Sequence, residues 1–150
     1  MTTYVANSEE EMIALGESLA GQLSPGARVY LSGDLGAGKT TLTKGIAKGL
    51  SAAQPDEVSS PTFTLIHEYG DPPRLYHIDL YRLDKPSQLA SLGLEEIFDS
   101  EAVVVIEWPE KFASQLPPAA VRIRIESEGE ARHITVGQAS LPVPPAFLNR

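Results

Sequence analysis

The sequence of 150 residues contains no cysteine and no hydrophobic run long enough to cross a membrane. The absence of cysteine excludes disulfide bonds and thiolate metal sites. A membrane-spanning helix needs about 20 consecutive apolar residues, so we expect no association with a membrane. The first residues lack the basic region and apolar core that a secretory signal peptide requires. The cytoplasm is therefore the default location.

Basic residues are also scarce, with 12 Lys and Arg against 20 Asp and Glu, which gives a net charge of −8 at pH 7. Nucleic-acid binding depends on clustered Lys and Arg that neutralise phosphates. We expect this acidic chain not to bind nucleic acid directly, so a partner protein would have to bind any RNA that is involved. The hydrophobic fraction of 42% and the charged fraction of 21% are ordinary for one globular domain.

Residues 33–40 read Gly-Asp-Leu-Gly-Ala-Gly-Lys-Thr, which fits the pattern G-x-x-x-x-G-K-T of the phosphate-binding loop (the P-loop, or Walker A motif). Its glycines let the backbone curl so that N–H groups surround phosphate oxygens. Lys39 can reach the β- and γ-phosphates of a nucleotide, and the Thr40 hydroxyl can bind Mg²⁺. The candidate nucleotide-binding residues of the loop are Asp34, Gly36, Ala37, Gly38, Lys39 and Thr40.

The residues on either side of this loop strengthen the match. Residues 28–32 form a short apolar run that predicts a buried strand, and residues 41–50 carry Leu42, Ile46 and Leu50 at a spacing of four, which predicts a helix. A strand, a glycine loop and a helix are the setting that the motif requires. The alternative, a glycine-rich turn that happens to precede Lys-Thr, is disfavoured by these flanking elements.

The remaining pattern predicts a single α/β domain with a mixed central sheet, helices on both faces and an antiparallel hairpin added to the sheet. A capping box at Ser8 and Glu11 begins a first helix that ends near Gly21. Further strands are predicted at residues 63–69, 75–79, 102–106 and 121–126. A turn at residues 127–130 leads into a last strand that ends near residue 136, and a helix is predicted to bend near Gly93. Residues 1–139 form the domain, and residues 140–150 form a Pro-rich C-terminal tail.

Two acidic residues follow predicted strands and are candidates for the metal site. Glu107 comes directly after the uniformly apolar residues 103–106, and Asp79 ends the strand 75–79. Ligands of open α/β sheets bind at the carboxyl ends of the strands, where a P-loop needs a carboxylate near its metal ion. Glu107 could hold Mg²⁺ through water or orient the attacking water, or it could simply cap the strand. Asp79 could bind Mg²⁺ through water, or it could pair with Arg82 or cap a turn.

Four further residues near these strands have more than one interpretation. Thr62 and Thr64 lie between the P-loop helix and the next strand, where nucleotide hydrolases place a switch loop, and turn chemistry explains them equally well. Trp108, the only tryptophan, is either a core anchor or a lid beside the site. We interpret His77 as a packed, hydrogen-bonded histidine rather than a catalytic base.

Four motifs in order resemble the TsaE family, formerly YjeE, over about residues 8–136. They are Gly-Asp-Leu-Gly-Ala-Gly-Lys-Thr-Thr at 33–41, Ser-Pro-Thr-Phe-Thr-Leu at 60–65, His-Ile-Asp-Leu-Tyr-Arg-Leu at 77–83 and Ile-Glu-Trp-Pro-Glu at 106–110. The resemblance implies a P-loop ATPase fold, ATP and Mg²⁺ as cofactors, and slow hydrolysis. It also implies a role in making N6-threonylcarbamoyladenosine at position 37 of tRNA, with the TsaD and TsaB proteins as partners and tRNA reached only through them.

The same resemblance assigns roles to residues that match the motifs. Lys39, Thr40 and Thr41 would contact phosphate or Mg²⁺, Glu107 would be the acid needed for hydrolysis, and Asp79 a second acid near Mg²⁺. Thr62 would lie in the switch-like loop and Trp108 beside the nucleotide. Catalytic roles thus fall on Glu107, Lys39 and Asp79.

Two other functions remain open from the residues alone. A small-molecule kinase would use the same loop, but it would need an acceptor pocket and an arginine-bearing lid, and no Arg-rich insertion is present. A nucleotide-gated binding module would bind ATP without turnover. A regulatory GTPase is disfavoured, because the guanine-reading motif Asn-Lys-x-Asp does not occur.

Overall fold

The computed structural model describes residues 2–138, so the predicted tail at 140–150 lies outside the described part of the chain. Strands and helices follow one another in this order: β1 Thr2–Ala6, α1 Glu9–Ala20, β2 Arg28–Gly33, α2 Lys39–Gly49, a 3₁₀ helix Pro55–Glu57, β3 Ile66–Tyr69, β4 Leu75–Asp79, α3 Pro86–Ala90, α4 Leu94–Asp99, β5 Val103–Glu107, a 3₁₀ helix Pro109–Gln115, β6 Val121–Glu128 and β7 Ala131–Gln138.

The strands form one seven-stranded mixed sheet in the order β1-β7-β6-β2-β5-β4-β3. β6, β2, β5 and β4 are parallel, β3 pairs antiparallel with β4 at one edge, and β7 and β1 continue antiparallel at the other. This topology confirms the predicted α/β class and the predicted hairpin. It also brings the carboxyl ends of β2, β4 and β5 to one edge of the sheet, where the P-loop begins.

Alternating residues of the central strands fill two separate hydrophobic cores, one on each face of the sheet. Val29, Leu31 and Val105 face α1 and α2, whereas Tyr30 and Ile106 face α3, α4 and the second 3₁₀ helix. All five residues of β5 are buried, as expected for a strand covered on both faces. The prediction of helices on both faces is therefore confirmed. None of the helices within residues 2–138 is long and apolar enough to span a membrane.

Three local features differ from the sequence-based expectation. β1 was not predicted, because its five residues gain their order from pairing with β7 (Thr2 opposite Val136) rather than from local pattern. β3 begins at Ile66 rather than Phe63, since Leu65 has a left-handed φ of 72° and its N–H donates to the Pro61 carbonyl at 2.6 Å. α2 begins at Lys39 rather than Thr41, because Gly38 at φ 111° already serves as its N-cap.

The capping box of α1 forms with one change. The Ser8 hydroxyl accepts a hydrogen bond from the Glu11 N–H at 3.1 Å, as predicted. The Glu11 carboxylate reaches the N–H of Asn7, at 2.9 Å, instead of the Ser8 N–H. The bend near Gly93 is also confirmed, since Gly93 at φ 70° separates α3 from α4.

Glycines allow α1 and α2 to pack in close contact. A Cβ atom on Gly45 would lie 2.1 Å from the Ile13 carbonyl oxygen, and one on Gly16 would lie 2.3 Å from the Leu42 carbonyl oxygen. Because backbone cannot yield as a side chain does, the two helices approach this closely only without side chains at these positions. The contact fixes α2, whose first turn completes the P-loop.

We expect Gly45→Ala to lower the free energy of unfolding by about 1–3 kcal/mol, because the added methyl group overlaps the Ile13 backbone. Urea denaturation measures this change. Gly21→Ala is the matched control, since its nearest neighbour would be 3.4 Å away and Gly21 has a helical φ of −63°. Alanine favours helices over glycine by about 1 kcal/mol, so a Gly45→Ala protein more stable than the wild type would contradict the close-packing argument.

Candidate nucleotide-binding site

The loop between β2 and α2 adopts a tight curl that depends on glycine. Gly36 and Gly38 have φ values of 79° and 111°, which L side chains rarely adopt. The N–H of Ala37 donates to the Asp34 carbonyl at 3.0 Å, and its own carbonyl accepts from Arg132 Nε at 3.1 Å. The loop is therefore closed by its own backbone and tied to β7, a link that no sequence motif indicated.

The start of α2 lies at the end of this loop and has no side-chain cap. Gly38 has no side chain to cap the helix, and the first turn contains no acidic residue. The first N–H groups of a helix have no partner within it, and the helix dipole adds a partial positive charge there. This end of α2 is therefore suited to bind an anion such as phosphate.

Lys39 adds a buried positive charge at the same place. Its side chain is only 6% exposed, and Nζ donates to the carbonyl oxygens of Gly33 and, at 3.0 Å, Asp34. Nζ also lies 4.5 Å from the centre of the Trp108 ring. Within residues 2–138 the ammonium group forms no ion pair. The contacts to carbonyl oxygens therefore leave its charge available to a phosphate.

Burial lowers the pKa of Lys39 from its ordinary value of 10.5, and the negative charges of Glu107 and Asp79 oppose this effect. The neutral form of Lys39 thus becomes populated at a lower pH than in a solvated lysine. We expect ATP affinity to fall as the pH rises through this lowered pKa, before 10.5 is reached. Titration calorimetry at a series of alkaline pH values measures this.

The matched control for the pH series is Lys39→Arg, because the guanidinium group keeps its charge over this range. This variant should show little dependence of ATP affinity on pH, even if its affinity is lower. A wild-type affinity that stays flat until pH 10.5 would contradict the lowered pKa.

The two predicted acids lie side by side across the strands β4 and β5. Asp79 and Glu107 are register partners, and they are 2% and 3% exposed. Asp79 accepts hydrogen bonds from the Thr62 hydroxyl and the Tyr81 N–H, each at 2.8 Å. The turn-cap interpretation of Asp79 therefore holds alongside its place in the site. The alternative pairing with Arg82 does not form, since the Arg82 guanidinium lies over the Phe63 ring at 4.8 Å.

The Glu107 carboxylate forms a hydrogen bond with His77, the residue predicted from the sequence to be packed and hydrogen-bonded. His77 is completely buried, which confirms that interpretation, and its Nε2 bonds to Glu107 Oε2. The sequence did not identify Glu107 as the partner, because the two residues are 30 positions apart and meet only through the pairing of β4 with β5.

The structure separates the two threonines of the switch-like loop. Thr62 bonds to Asp79 and also to the Ser60 hydroxyl at 2.8 Å, so it belongs to the acidic pair. Thr64 instead bonds to His67 Nε2 at 2.7 Å and does not line the cleft. Of the two candidates, Thr62 is the one that lines the cleft beside Asp79.

Trp108 lies directly beside Lys39. It has a left-handed φ of 61°, and its ring centre is 5.0 Å from that of Tyr81. Half-buried, it packs against the core of α3 and α4 while lining the cleft. Trp108 therefore contacts the hydrophobic core on one side and the cleft on the other, as each of the two interpretations requires.

These residues enclose one cleft of about 310 Å³ above the P-loop, lined by Leu35, Gly36, Gly38, Lys39, Thr40, Thr41, Ser60, Thr62, Asp79, Glu107 and Trp108. Of the predicted site residues, only Asp34 and Ala37 are missing from this lining. Asp34 lines a neighbouring cleft with Glu110, and Ala37, itself a residue of the loop, is buried. Leu35 and Ser60 were not predicted, although both lie within the motifs.

A second cleft adjoins the first across the P-loop. It shares Gly36, Gly38 and Thr41 with the first cleft and extends to Ser8, Glu9, Met12, Glu130 and Arg132. Arg132 was not predicted as a site residue, because it lies in β7 and belongs to no recognisable nucleotide-binding motif. The two clefts therefore meet at residues of the loop and of the first turn of α2.

Comparisons with known proteins agree with this geometry. A family model described as "Threonylcarbamoyl adenosine biosynthesis protein TsaE" matches residues 6–134. The chain is 39% identical to the tRNA threonylcarbamoyladenosine biosynthesis protein TsaE of Haemophilus influenzae, over 89% of this chain and 87% of the relative. It is 44% identical to the protein of the same name from Bacillus subtilis, over 84% of this chain and 78% of the relative.

A solved structure shows a similar fold. The crystal structure of YdiB from Bacillus subtilis superimposes with a TM-score of 0.71 and 34% sequence identity, covering 97% of this chain and 87% of that chain. The resemblance drawn from the four motifs is thereby confirmed. Because the family model spans most of the chain and the relatives align along most of its length, the chain belongs to the TsaE family of threonylcarbamoyladenosine biosynthesis proteins.

Proposed function

We propose that the protein is a slow, Mg²⁺-dependent ATP hydrolase of the cytoplasm. It acts with the TsaD–TsaB complex and sustains repeated threonylcarbamoylation of adenosine 37 in tRNA. The observation that carries this proposal is the convergence of Lys39, Asp79 and Glu107 on one cleft above the P-loop. Membership of the TsaE family supports the link to tRNA modification.

The residues present fit a nucleotide triphosphate with its metal ion. The uncapped start of α2 and the buried ammonium of Lys39, which forms no ion pair within residues 2–138, suit polyphosphate. Thr40, Asp79 and Glu107 offer oxygen ligands, which Mg²⁺ prefers. Within residues 2–138 no group of three or more His, Asp or Glu side chains could hold a metal ion alone. Such a site suits Mg²⁺, which usually shares its ligands with substrate phosphates and water.

Bound Mg²⁺ would neutralise charge on the phosphate oxygens and orient them. Lys39 would stabilise the negative charge on the β- and γ-phosphates, together with the N–H groups at the start of α2. Glu107 would orient a water molecule whose oxygen attacks the γ-phosphorus and would accept its proton. The bond from the γ-phosphorus to the β–γ bridging oxygen breaks, which releases ADP and phosphate. The remainder of the nucleotide would extend into the second cleft, beside Ser8 and Arg132.

The acidic character of the chain supports an indirect role toward tRNA. With 12 basic residues and a net charge of −8, the chain has little to offer to a phosphate backbone. One of the basic residues, Lys39, is buried in the cleft. We therefore propose that TsaD and TsaB hold the tRNA while this protein supplies the nucleotide cycle.

The kinase alternative has no support in the described cleft. A phosphoryl-transfer site of that kind uses arginine over the phosphates, and no arginine is among the residues lining the cleft around Lys39 within the described chain. Arg82 lies over the exposed Phe63 ring instead.

The role in tRNA modification is tested by threonylcarbamoylation of tRNA with purified TsaD–TsaB. We expect the first turnover to proceed without this protein and the later turnovers to require it, together with ATP and Mg²⁺. Product formed per TsaD–TsaB complex, measured over time with excess tRNA, distinguishes the two phases. Equal product per complex with and without the protein would contradict the proposed role.

A further inference from the structure

A histidine lies inside an otherwise apolar layer beneath the acidic pair. His77 is 0% exposed and belongs to the same sheet face as Leu75, Val103 and Val105. Its Nδ1 has no hydrogen-bond partner among the described residues. Buried polar atoms without partners are rare because they lower stability, so an unpaired one calls for an explanation outside folding.

The one hydrogen bond that His77 makes goes to Glu107. His77 precedes Asp79 by two residues in β4, and its Nε2 bonds to Oε2 of the Glu107 carboxylate. Because a carboxylate oxygen only accepts, we assign the proton to Nε2. Within residues 2–138, no side chain other than His77 forms a hydrogen bond with the Glu107 carboxylate. Glu107 Oε1 therefore keeps no side-chain partner.

We propose that His77 is a positioning residue that holds Glu107 in its reactive orientation, an inference that rests on the proposed hydrolase activity. A glutamate has three rotatable side-chain bonds, and fixing such a chain in one orientation costs conformational entropy. The buried ring cannot turn away, so its bond to Oε2 fixes the carboxylate before substrate arrives. Because Glu107 also lines the cleft, its second oxygen is left to accept a hydrogen bond from a water molecule there.

The same contact separates the roles of the two acids. Asp79 already accepts two hydrogen bonds, from Thr62 and Tyr81, so both of its oxygens are engaged. Glu107 has one engaged oxygen and one oxygen without a hydrogen-bond partner among residues 2–138. His77 thus fixes Glu107 in place while leaving one of its oxygens available to orient water.

The test replaces His77 and follows binding and turnover separately. His77→Leu removes the hydrogen bond and keeps an apolar side chain in the layer. We expect its kcat for ATP hydrolysis to fall roughly 10- to 100-fold, the usual range for residues that orient a ligand or catalytic group. The Kd for Mg-ATP should change by no more than about twofold, because Lys39 and the loop are unaltered. His77→Gln, whose amide can still donate to Glu107, should recover most of the lost kcat.

A double-mutant cycle distinguishes positioning from general damage. Adding His77→Leu to Glu107→Ala should cause no further loss of kcat, because the residue on which His77 acts is absent. Val105→Ala is the matched packing control, since Val105 is the register partner of His77 in β5. It should lower thermal stability and leave kcat unchanged.

Each outcome decides between the two proposals. A His77→Leu protein with wild-type kcat, beside an inactive Glu107→Ala protein, would overturn the positioning role and leave the hydrolase proposal intact. Equal losses in His77→Leu and His77→Gln would also overturn it, because the donor would then be irrelevant. If the wild type hydrolyses no ATP in the presence of Mg²⁺ and TsaD–TsaB, both proposals are wrong.

Discussion

Replacing Glu107 with glutamine should abolish ATP hydrolysis while ATP binding is retained. Glutamine has nearly the same shape and can still accept the His77 hydrogen bond, but it cannot accept a proton from water. Loss of a general base typically costs about 10²- to 10⁴-fold in rate. Single-turnover hydrolysis of radiolabelled ATP measures the rate, and calorimetry measures the binding.

The matched control is Glu17→Gln, which removes a carboxylate from the surface. Glu17 is half-exposed and pairs with Lys48 at 3.4 Å, and a pair of this kind contributes little. Hydrolysis by Glu17→Gln should equal that of the wild type. Unchanged turnover in Glu107→Gln would remove Glu107 from catalysis and favour a nucleotide-gated binding module.

Lys39→Ala should lower kcat/KM for ATP about 10²- to 10³-fold, the range seen when one donor to a developing negative charge is removed. The effect is large because Lys39 is the buried cation of the cleft, where charge interactions are stronger than in water. Because the ammonium serves both bound substrate and transition state, the loss should appear in KM as well as in kcat. Steady-state kinetics over a wide range of ATP concentrations separates the two.

Lys48→Ala is the control for Lys39→Ala, since Lys48 lies on the same helix but is 46% exposed. Removal of this surface charge should leave kcat/KM unchanged. Thermal unfolding should show that Lys39→Ala is folded, because the mutation removes a buried charge that contributes no ion pair within residues 2–138. Wild-type kcat/KM in Lys39→Ala would contradict the assignment of the phosphate site.

The parts of the site that the sequence predicted are those set by local spacing. The P-loop is a contiguous run of eight residues, so its conformation and the place of Lys39 follow from the motif. Asp79 and Glu107 were found because each ends an apolar run, and parallel strands end at the same edge of a sheet. The pairing of Asp79 with Glu107 in register then brings them together.

The parts that the sequence did not reveal depend on contacts between distant residues. The bond from Arg132 to the Ala37 carbonyl spans 95 positions, and the bond between His77 and Glu107 spans 30. No local period encodes such contacts, since they follow from strand order. β1 was missed for the same reason, as it is ordered by its pairing with β7. Phe63 to Leu65 were assigned to a strand on composition, but the left-handed Leu65 ends that pattern.

The distinction between Thr62 and Thr64 also required the fold. Both residues are equally placed by spacing, yet only Thr62 reaches Asp79, while Thr64 turns toward His67. The direction of each hydroxyl depends on the turn at residues 62–64, which sequence alone does not specify. The spacing of the residues therefore indicated the switch-like loop, and the fold identified Thr62 as the threonine that reaches Asp79.

The most direct test of the proposed activity is phosphate release from ATP by the purified protein, with and without Mg²⁺ and with and without TsaD–TsaB. We predict slow release that requires Mg²⁺ and rises when the complex is added. No release above background under any of these conditions would contradict the assignment of the cleft around Lys39, Asp79 and Glu107 as an ATP hydrolase site.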